Sequence, residues 1–451
     1  MGAAGSSSAH PTVSTTMDAS VAARPLNAPT LVLEEHFTVT GGALANGSFG
    51  EIFAVTATPL GDAFVRGHLR ALGRPADGAL PHLIVKAPTR NAKPLEAQSA
   101  SDRQAREDEI AREKEALRAW HHQGIVTYFG DFAKRHDPLR ACIVLEACYG
   151  MGDGRVPVLD AANRPMNPDN LGASSGDFWR WVATRTQPSD AVFRFIAWQL
   201  LAPVAYLHSH DVAHRDLKNE NFLVAGAVRS AAGEDIPVMK ISDFGSARAL
   251  TIVEQTGPQS RQATIARGID GAAKYVGTPQ HIAPEILAHA HFGLDEEAAA
   301  ARSASGHDTP LISFRGSYTT KCDVYSLGIA LFATLMSGFK PLDGQEDVFE
   351  IKAQVLDGSV LKTARRRLEN RRLRLETGAS AAAQNPVDAA TRDFVLSMLT
   401  IDPTARPSAK QLLDDVYFDG IREEARRLFG HEAGDSARKA AGAAGGAAAA
   451  P

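Results

Sequence analysis

Two short strings hold the residue types that could carry chemistry. The first, Val212 to Val224, contains His214, Arg215, Asp216, Lys218 and Asn221. The second, Lys240 to Ser246, contains Asp243, Phe244 and Gly245, with Asp243 lying 27 residues beyond Asp216. Each follows an apolar run of β type. Carboxylate and amide oxygens are hard ligands of the kind magnesium takes, and a lysine among them offers a point charge for phosphate. Such a set suits phosphoryl transfer. Its loose transition state spreads negative charge over the moving group, so positioning and positive charge supply most of the catalysis. Either string alone could arise by chance or cap a turn; both, in this order, hardly could.

The strings resemble the catalytic loop H-R-D-L-x-x-x-N and the metal loop D-F-G of the eukaryotic protein kinases. The resemblance implies that Asp216 orients a substrate hydroxyl and accepts its proton, while Lys218 reaches the transferring phosphate. Asn221 and Asp243 would hold Mg2+ shared with the phosphates of ATP. Leu44-Ala45-Asn46-Gly47-Ser48-Phe49-Gly50-Glu51-Ile52 looks like the glycine-rich loop over those phosphates. Gly47 and Gly50 allow close backbone approach, Ile52 would cover the adenine, and Ala45 replaces the first glycine.

Leu83-Ile-Val-Lys86 resembles V-A-I-K, which makes Lys86 the contact for the α- and β-phosphates. Its carboxylate partner is expected on a helix from Asp102 to His121 as Glu113, with Glu109 one turn earlier as the competitor. By resemblance Leu145 is the gatekeeper, and Glu146 to Cys148 form the hinge whose backbone pairs with adenine. Leu117, Tyr128, His214 and Phe244 are expected to stack between the lobes, anchored on Asp323.

Gly277-Thr-Pro-Gln-His-Ile-Ala-Pro-Glu285 is similar to the family's G-T-P-x-Y-x-A-P-E, with His281 in the tyrosine's place. Thr278, together with Lys218, points to the serine/threonine type. Arg215 implies a pocket for a phosphorylated activation-loop residue, because arginine pairs bidentately with phosphate. Ser260, Thr264 and Tyr275 are the candidate acceptors, Thr264 preferred, which leaves room for an upstream activating kinase. Tyr318 to Gly328 resembles the start of the central helix of the large lobe, and Arg406 should pair with Glu285 in a buried bridge. Asp177 and Glu220 suggest basic residues near the acceptor hydroxyl. The run Lys362 to Glu376, with seven basic and two acidic residues, reads by default as a solvated helix face.

Composition sets the outer bounds. A chain of 451 residues with 44% hydrophobic and 22% charged residues is globular, and a net charge of −4 excludes a nucleic-acid footprint. Cys142, Cys148 and Cys322 match neither zinc spacing nor a disulfide framework, which fits a reducing cytosol or nucleus. No apolar run approaches the roughly 18 residues of a membrane span. The start Met1-Gly2 to Ser6 matches the N-myristoylation pattern, so a membrane enters only if Gly2 is acylated. Otherwise it opens a low-complexity tail.

The expected fold class is α+β, in the two-lobed kinase arrangement. A small antiparallel-sheet lobe with one main helix covers about 35–148, and a larger, mostly helical lobe about 149–420. Inserted loops are expected near 61–81, 151–175, 225–237, 251–272 and 288–314. Residues 1–34 form a tail, and 421–451 an extension ending in Ala and Gly. The activity implied is transfer of the γ-phosphoryl group of ATP to Ser/Thr hydroxyls of protein substrates. The alternative is a pseudokinase scaffold that binds nucleotide or partners without turnover, suggested by Ala45 and the wide spacings. A P-loop NTPase is excluded, since no G-x-x-x-x-G-K-[ST] occurs.

Overall fold

Alternating side chains along the strands, each sent to one of two covered faces, set up the small lobe. The computed structural model describes residues 31–47, 50–87, 113–135, 137–148, 188–254, 264–267, 279–288, 318–342, 344–345, 347–369 and 387–429. All of these lie in one compact unit, Leu31–Gly434. The chain enters through β1 (Leu31–Val32), a single helical turn α1 (Leu33–His36), β2 (Phe37–Gly47) and β3 (Gly50–Ala57). Helix α2 (Pro59–Ala71), β4 (Leu83–Ala87), a helical segment α3 (113–119), β5 (Tyr128–Lys134) and β6 (Asp137–Glu146) follow. The six strands form one sheet in the order β1-β5-β6-β4-β3-β2. Its ladders are antiparallel except the short β1–β5 pair.

Register then sorts the side chains. Ile52, Lys86 and Ile143 lie side by side across β3, β4 and β6, and a strand's side chains alternate between faces. That row faces α3 and the large lobe. Phe53, Val85 and Val144, one residue along, take the opposite face. There α2 covers the sheet: Val65 and Leu69 are buried in one cluster with Val85, Val144, Phe132 and Phe37.

The segment 61–81 was expected as an inserted loop; as far as Ala71 it is instead helix, with the remainder irregular. Thr58 caps it by accepting from the Gly61 N–H, and Pro59 sits at the first position, where its missing N–H costs nothing. Gly61, Val65 and Leu69, four apart, form its buried stripe. The glycine, proline and arginine content hid that period. The loop expected near 225–237 is mostly the hairpin of β8 (Phe222–Arg229) and β9 (Asp235–Ile241), with a bulge between Val224 and Ala227. The one expected near 251–272 contains the paired strands β11 (Thr251–Glu254) and β12 (Thr264–Arg267). The loops near 151–175 and 288–314 lie outside the described residues, apart from residue 288.

The large lobe is built on α4 (Asp190–His208) and, after β7 (Val212–Ala213), β10 (Arg248–Ala249) and the short α5 (Pro284–Leu287), on α6 (Lys321–Leu335). Ser189 caps α4. Among the described residues α4 is the one helix long and apolar enough to cross a membrane by length and mean hydropathy, although Asp190, Arg194 and Gln199 interrupt it, so it is no continuous apolar run. Twelve of its side chains are buried in the protein core, which accounts for its composition. Helices α7 (Val348–Leu356), α8 (Ser359–Glu369), α9 (Ala389–Met398), α10 (Ala409–Leu413) and α11 (Arg422–Phe429) complete the lobe. The described part of the basic run lies on α8, which buries Val360, Ala364 and Leu368 and exposes Lys362, Arg365 and Arg366.

Candidate active site

The loop between β7 and β8 carries most of the candidate chemistry, and one buried carboxylate shapes it. Asp323, in the first turn of α6, accepts the backbone N–H groups of His214 and Arg215, both at 2.8 Å. Its Oδ2 also lies 2.9 Å from His208 Nε2. Burial alone would raise the Asp323 pKa, but the His208 hydrogen bond and the neighbouring His208 and His214 outweigh it, and the carboxyl is held below its ordinary value. The brace matters because Arg215 has a left-handed backbone, with φ 67°. Such a conformation costs a non-glycine residue of order 1–3 kcal/mol.

Within the loop Asp216 and its neighbours converge. Lys218 Nζ donates to Asp216 Oδ2 at 2.8 Å. Asn221 Nδ2 donates to the same oxygen at 3.1 Å and to the Asp216 carbonyl at 2.8 Å. Asp216 Oδ1 is buried with no hydrogen-bond partner. Asn221 is held by a turn of 3-10 helix (Asn219–Asn221), and its carbonyl accepts from both the N–H and the hydroxyl of Ser242. This ties the loop to Asp243, whose own backbone is left-handed at φ 62°.

Across the cleft, Lys86 Nζ donates to both carboxylate oxygens of Glu113, at 2.7 and 2.9 Å. Of the two carboxylates weighed, Glu113 is therefore at Lys86; Glu109 lies outside the described residues. Burial raises the Glu113 pKa, opposed by the Lys86 charge and hydrogen bonds. One turn along α3, Leu117 is buried in the same core cluster as Tyr128 and Phe244. The Phe244 ring is 4.9 Å from that of His214, and both are fully buried. Of the expected inter-lobe stack, His214 and Phe244 are in ring contact, and the His214 backbone N–H rests on Asp323.

The nucleotide-binding candidates are described in part. Leu44 and Ile52 are half-buried, and β2 and β3 meet at Gly47 opposite Gly50. Ala45 and Asn46 lie on β2, opposite Ile52 and Glu51; Ser48 and Phe49 lie outside the described residues. Glu146 ends β6 and Cys148 follows, half-buried, its thiol pKa pushed up by burial. Thr278, Ser260, Tyr275 and Asp177 also lie outside the described residues, and Thr264 opens β12. Arg215 Nε donates to the Ser246 carbonyl at 2.8 Å and Nη1 to the Tyr318 hydroxyl at 2.9 Å.

His281 is buried with neither ring nitrogen hydrogen-bonded, and burial holds it neutral by lowering its pKa well below the ordinary value. Arg406 and Glu285 form the expected bridge, with paired contacts of 2.8 and 3.0 Å and both side chains fully buried.

A profile described as the protein kinase domain matches residues 89–298 and 310–418, well over half of the chain. The chain belongs to the protein kinase family. It is 30% identical over 228 residues to a probable serine/threonine-protein kinase (fhkA) of Dictyostelium discoideum, covering 51% of this chain and 32% of that protein. It is 26% identical over 224 residues to serine/threonine-protein kinase chk-2 of Caenorhabditis elegans, covering 50% and 33% respectively. A calcium and calcium/calmodulin-dependent serine/threonine-protein kinase of Pisum sativum matches at 26% over 250 residues, 55% of this chain and 34% of that protein. The chain thus spans about a third of the length of these relatives.

Kinases of this family use ATP and typically Mg2+, and the donor set here fits that ion. Asn221 commits its amide nitrogen to Asp216, so its amide oxygen is the atom available to a cation. With the Asp243 carboxylate this gives hard oxygen ligands, to which magnesium commonly adds phosphate oxygens and water. Among the described residues no group of three or more His, Cys, Asp or Glu side chains offers a different metal site.

Sequence reasoning missed three supports of this kinase site. His208 holds Asp323, Tyr318 holds Arg215, and Lys240 Nζ donates to Glu146 Oε2 at 3.0 Å. Each joins positions far apart in the chain. The one local hint is Lys240, a charged residue inside the apolar run that leads to Asp243.

Proposed function

We propose that this kinase transfers the γ-phosphoryl group of ATP to serine or threonine hydroxyls of protein substrates. The observation that carries the reading is the divided environment of Asp216. Oδ2 is held by Lys218 and Asn221, while Oδ1 is buried and lacks any partner. A buried polar atom left unpaired costs free energy unless a ligand satisfies it, and a substrate hydroxyl is the donor that fits.

Asp216 Oδ1 takes the hydroxyl hydrogen as the oxygen attacks the γ-phosphorus; the new O–P bond forms, the bond to the β-phosphate bridging oxygen breaks, and ADP leaves. Lys218, beside Asp216, offers positive charge to the transferring group. Lys86, fixed by Glu113, binds the α- and β-phosphates. The stretch Leu44, Ala45, Asn46, Gly47, Ser48, Phe49, Gly50 to Ile52 covers the nucleotide, and backbone of Glu146 to Cys148 pairs with its base. Asn221 and Asp243 would hold magnesium, which when bound would neutralise phosphate charge.

The intact Lys86–Glu113 pair and the buried Phe244 weigh against a scaffold without turnover. Phosphorylation of Thr264 by an upstream kinase, acylation of Gly2 and residence in a reducing compartment belong to this reading as further proposals.

The test is magnesium-dependent transfer of labelled γ-phosphate to a mixed serine/threonine and tyrosine peptide set, with Asp216→Asn alongside. Label on serine or threonine, reduced in the variant by about 10²–10⁴-fold, is expected for a general base. Equal transfer by both proteins would remove Asp216 from its role.

A further inference from the structure

Helix α2 and the turn after it lie outside the residues matched by the family profile, which begins at residue 89. Yet this segment reaches the hinge. Arg74 is set three residues past the end of α2, its backbone N–H donating to the Leu69 carbonyl at 2.9 Å. Its Nη1 donates to the Thr127 hydroxyl, and its Nη2 lies 3.7 Å from Glu146 Oε1. The Thr127 hydroxyl passes the contact on by donating to Glu146 Oε2 at 2.5 Å. Lys240 Nζ meets the same oxygen from the large lobe at 3.0 Å.

Glu146 is thus a buried carboxylate held from three sides. Burial would raise its pKa, but the charges of Lys240 and Arg74 and the Thr127 hydrogen bond outweigh it and keep the group ionised. The side chain shares the sheet face of Val144 and Leu83, opposite the face of Lys86. Its backbone N–H donates to the Thr127 carbonyl at 2.8 Å, and the next N–H, of Ala147, donates to the His82 carbonyl at 2.8 Å. Backbone at Glu146 and Ala147 is therefore held by Thr127 and His82.

We propose that Arg74 is a positioning residue for nucleotide: through Thr127 and Glu146 it sets the hinge backbone against which the adenine lies. The inference rests on the kinase reading given above. The reasoning is geometric. A hinge that pairs with a base must hold its donors and acceptors in place before binding, and ordering them afterwards costs affinity. Lys240 ties Glu146 to the large lobe and Arg74 ties it to the small lobe, so the hinge is fixed relative to both. Without Arg74 the carboxylate loses its charged contact in the small lobe and Thr127 loses a donor, while the Thr127–Glu146 hydrogen bond and the contacts of Lys86, Asp216 and Asp243 remain.

The experiment compares wild type with Arg74→Met, Arg74→Lys and Thr127→Val, measuring kcat, KM for ATP, KM for peptide, and the Kd of ATP by calorimetry. Arg74→Met is expected to raise KM and Kd for ATP about tenfold, with kcat and peptide KM unchanged. Arg74→Lys should recover most of the loss, and Thr127→Val should reproduce part of it without adding fully to Arg74→Met. A purely architectural role would lower thermal stability and apparent kcat while leaving KM for ATP in place, and that result overturns the proposal. If Arg74→Met does not fold, unchanged nucleotide affinity in both Arg74→Lys and Thr127→Val overturns it instead. A wild-type protein that binds ATP but transfers no phosphate refutes the activity, and the calorimetric comparison still decides the role of Arg74.

Discussion

Lys86 Nζ stands within 2.9 Å of both oxygens of Glu113, and the pair is nearly buried between β4 and α3. Two elements that meet only in the folded small lobe are thereby joined next to the catalytic loop. Leu117, on the same helical segment as Glu113, is buried in the core cluster that also holds Tyr128 and Phe244. Movement of α3 away from the sheet would break the ion pair and the stack together, which is a physical route to an inactive state.

Lys86→Met is expected to lower kcat/KM by at least about 100-fold, the scale seen when a preorganised charge is removed from a transition-state site. Glu113→Gln keeps the shape but loses the charge that holds Lys86, and should fall between wild type and Lys86→Met. Steady-state kinetics on folded protein, checked by circular dichroism, reads this. Full activity in either variant would contradict the arrangement.

Arg406 is the strongest structural prediction. Besides Glu285 it donates to the carbonyls of Thr400, Lys321 and Ile401, at 2.8, 2.9 and 3.1 Å. Replacing it with methionine leaves a fully buried carboxylate and three carbonyls without that partner. The expected loss is about 3–5 kcal/mol of unfolding free energy, read as a lower urea midpoint. Arg406→Lys should not restore it, because lysine lacks the planar fork that meets both carboxylate oxygens.

Helix α2 should behave as core. Leu69 is 4% exposed and packs in the cluster of Val85 and Val144. Leu69→Ala is expected to cost about 2–5 kcal/mol, and excision of residues 59–71 should prevent the small lobe from folding. Equilibrium denaturation of the point variant is the check; a change under 0.5 kcal/mol would mean that α2 is not part of the cooperative unit.

His122 supplies a pH signature. Its Nδ1 accepts the Gly124 N–H at 2.9 Å, and burial, with Lys240 nearby, lowers its pKa from 6.5 to about 4. The unfolded chain therefore binds a proton near pH 6.5 that the native protein refuses until about pH 4. Stability from this group is whole above pH 6.5 and falls as pH drops towards 4, by up to about 3 kcal/mol. His122→Asn, which keeps an acceptor for Gly124, should flatten the wild-type decline in thermal midpoint across that window. Parallel pH profiles would assign the decline elsewhere.

Much of the active site was legible in the sequence because phosphoryl transfer needs fixed residue types at fixed local spacing. Asp216, Lys218 and Asn221 occupy one loop, so their convergence follows from a few backbone turns. Glu285 and Arg406 were paired from short strings in the same way, and the structure shows their buried bridge. Sequence also determined the α+β division, through strand runs before Cys148 and helical periods after Ser189.

The tertiary structure alone decided what depends on contact between distant segments. It chose Glu113 for Lys86, since helical spacing fixes which residues share a face but not where that face lies. It turned the first half of the expected loop 61–81 into helix, because an amphipathic stripe of Gly61, Val65 and Leu69 gains stability only when a sheet face receives it. And it gathered Arg74, Thr127 and Lys240 around the buried carboxylate of Glu146. Neither Arg74 nor Thr127 stands out in its own stretch of chain. Charge buried at a meeting of three elements has no local period, so only the folded chain reveals it.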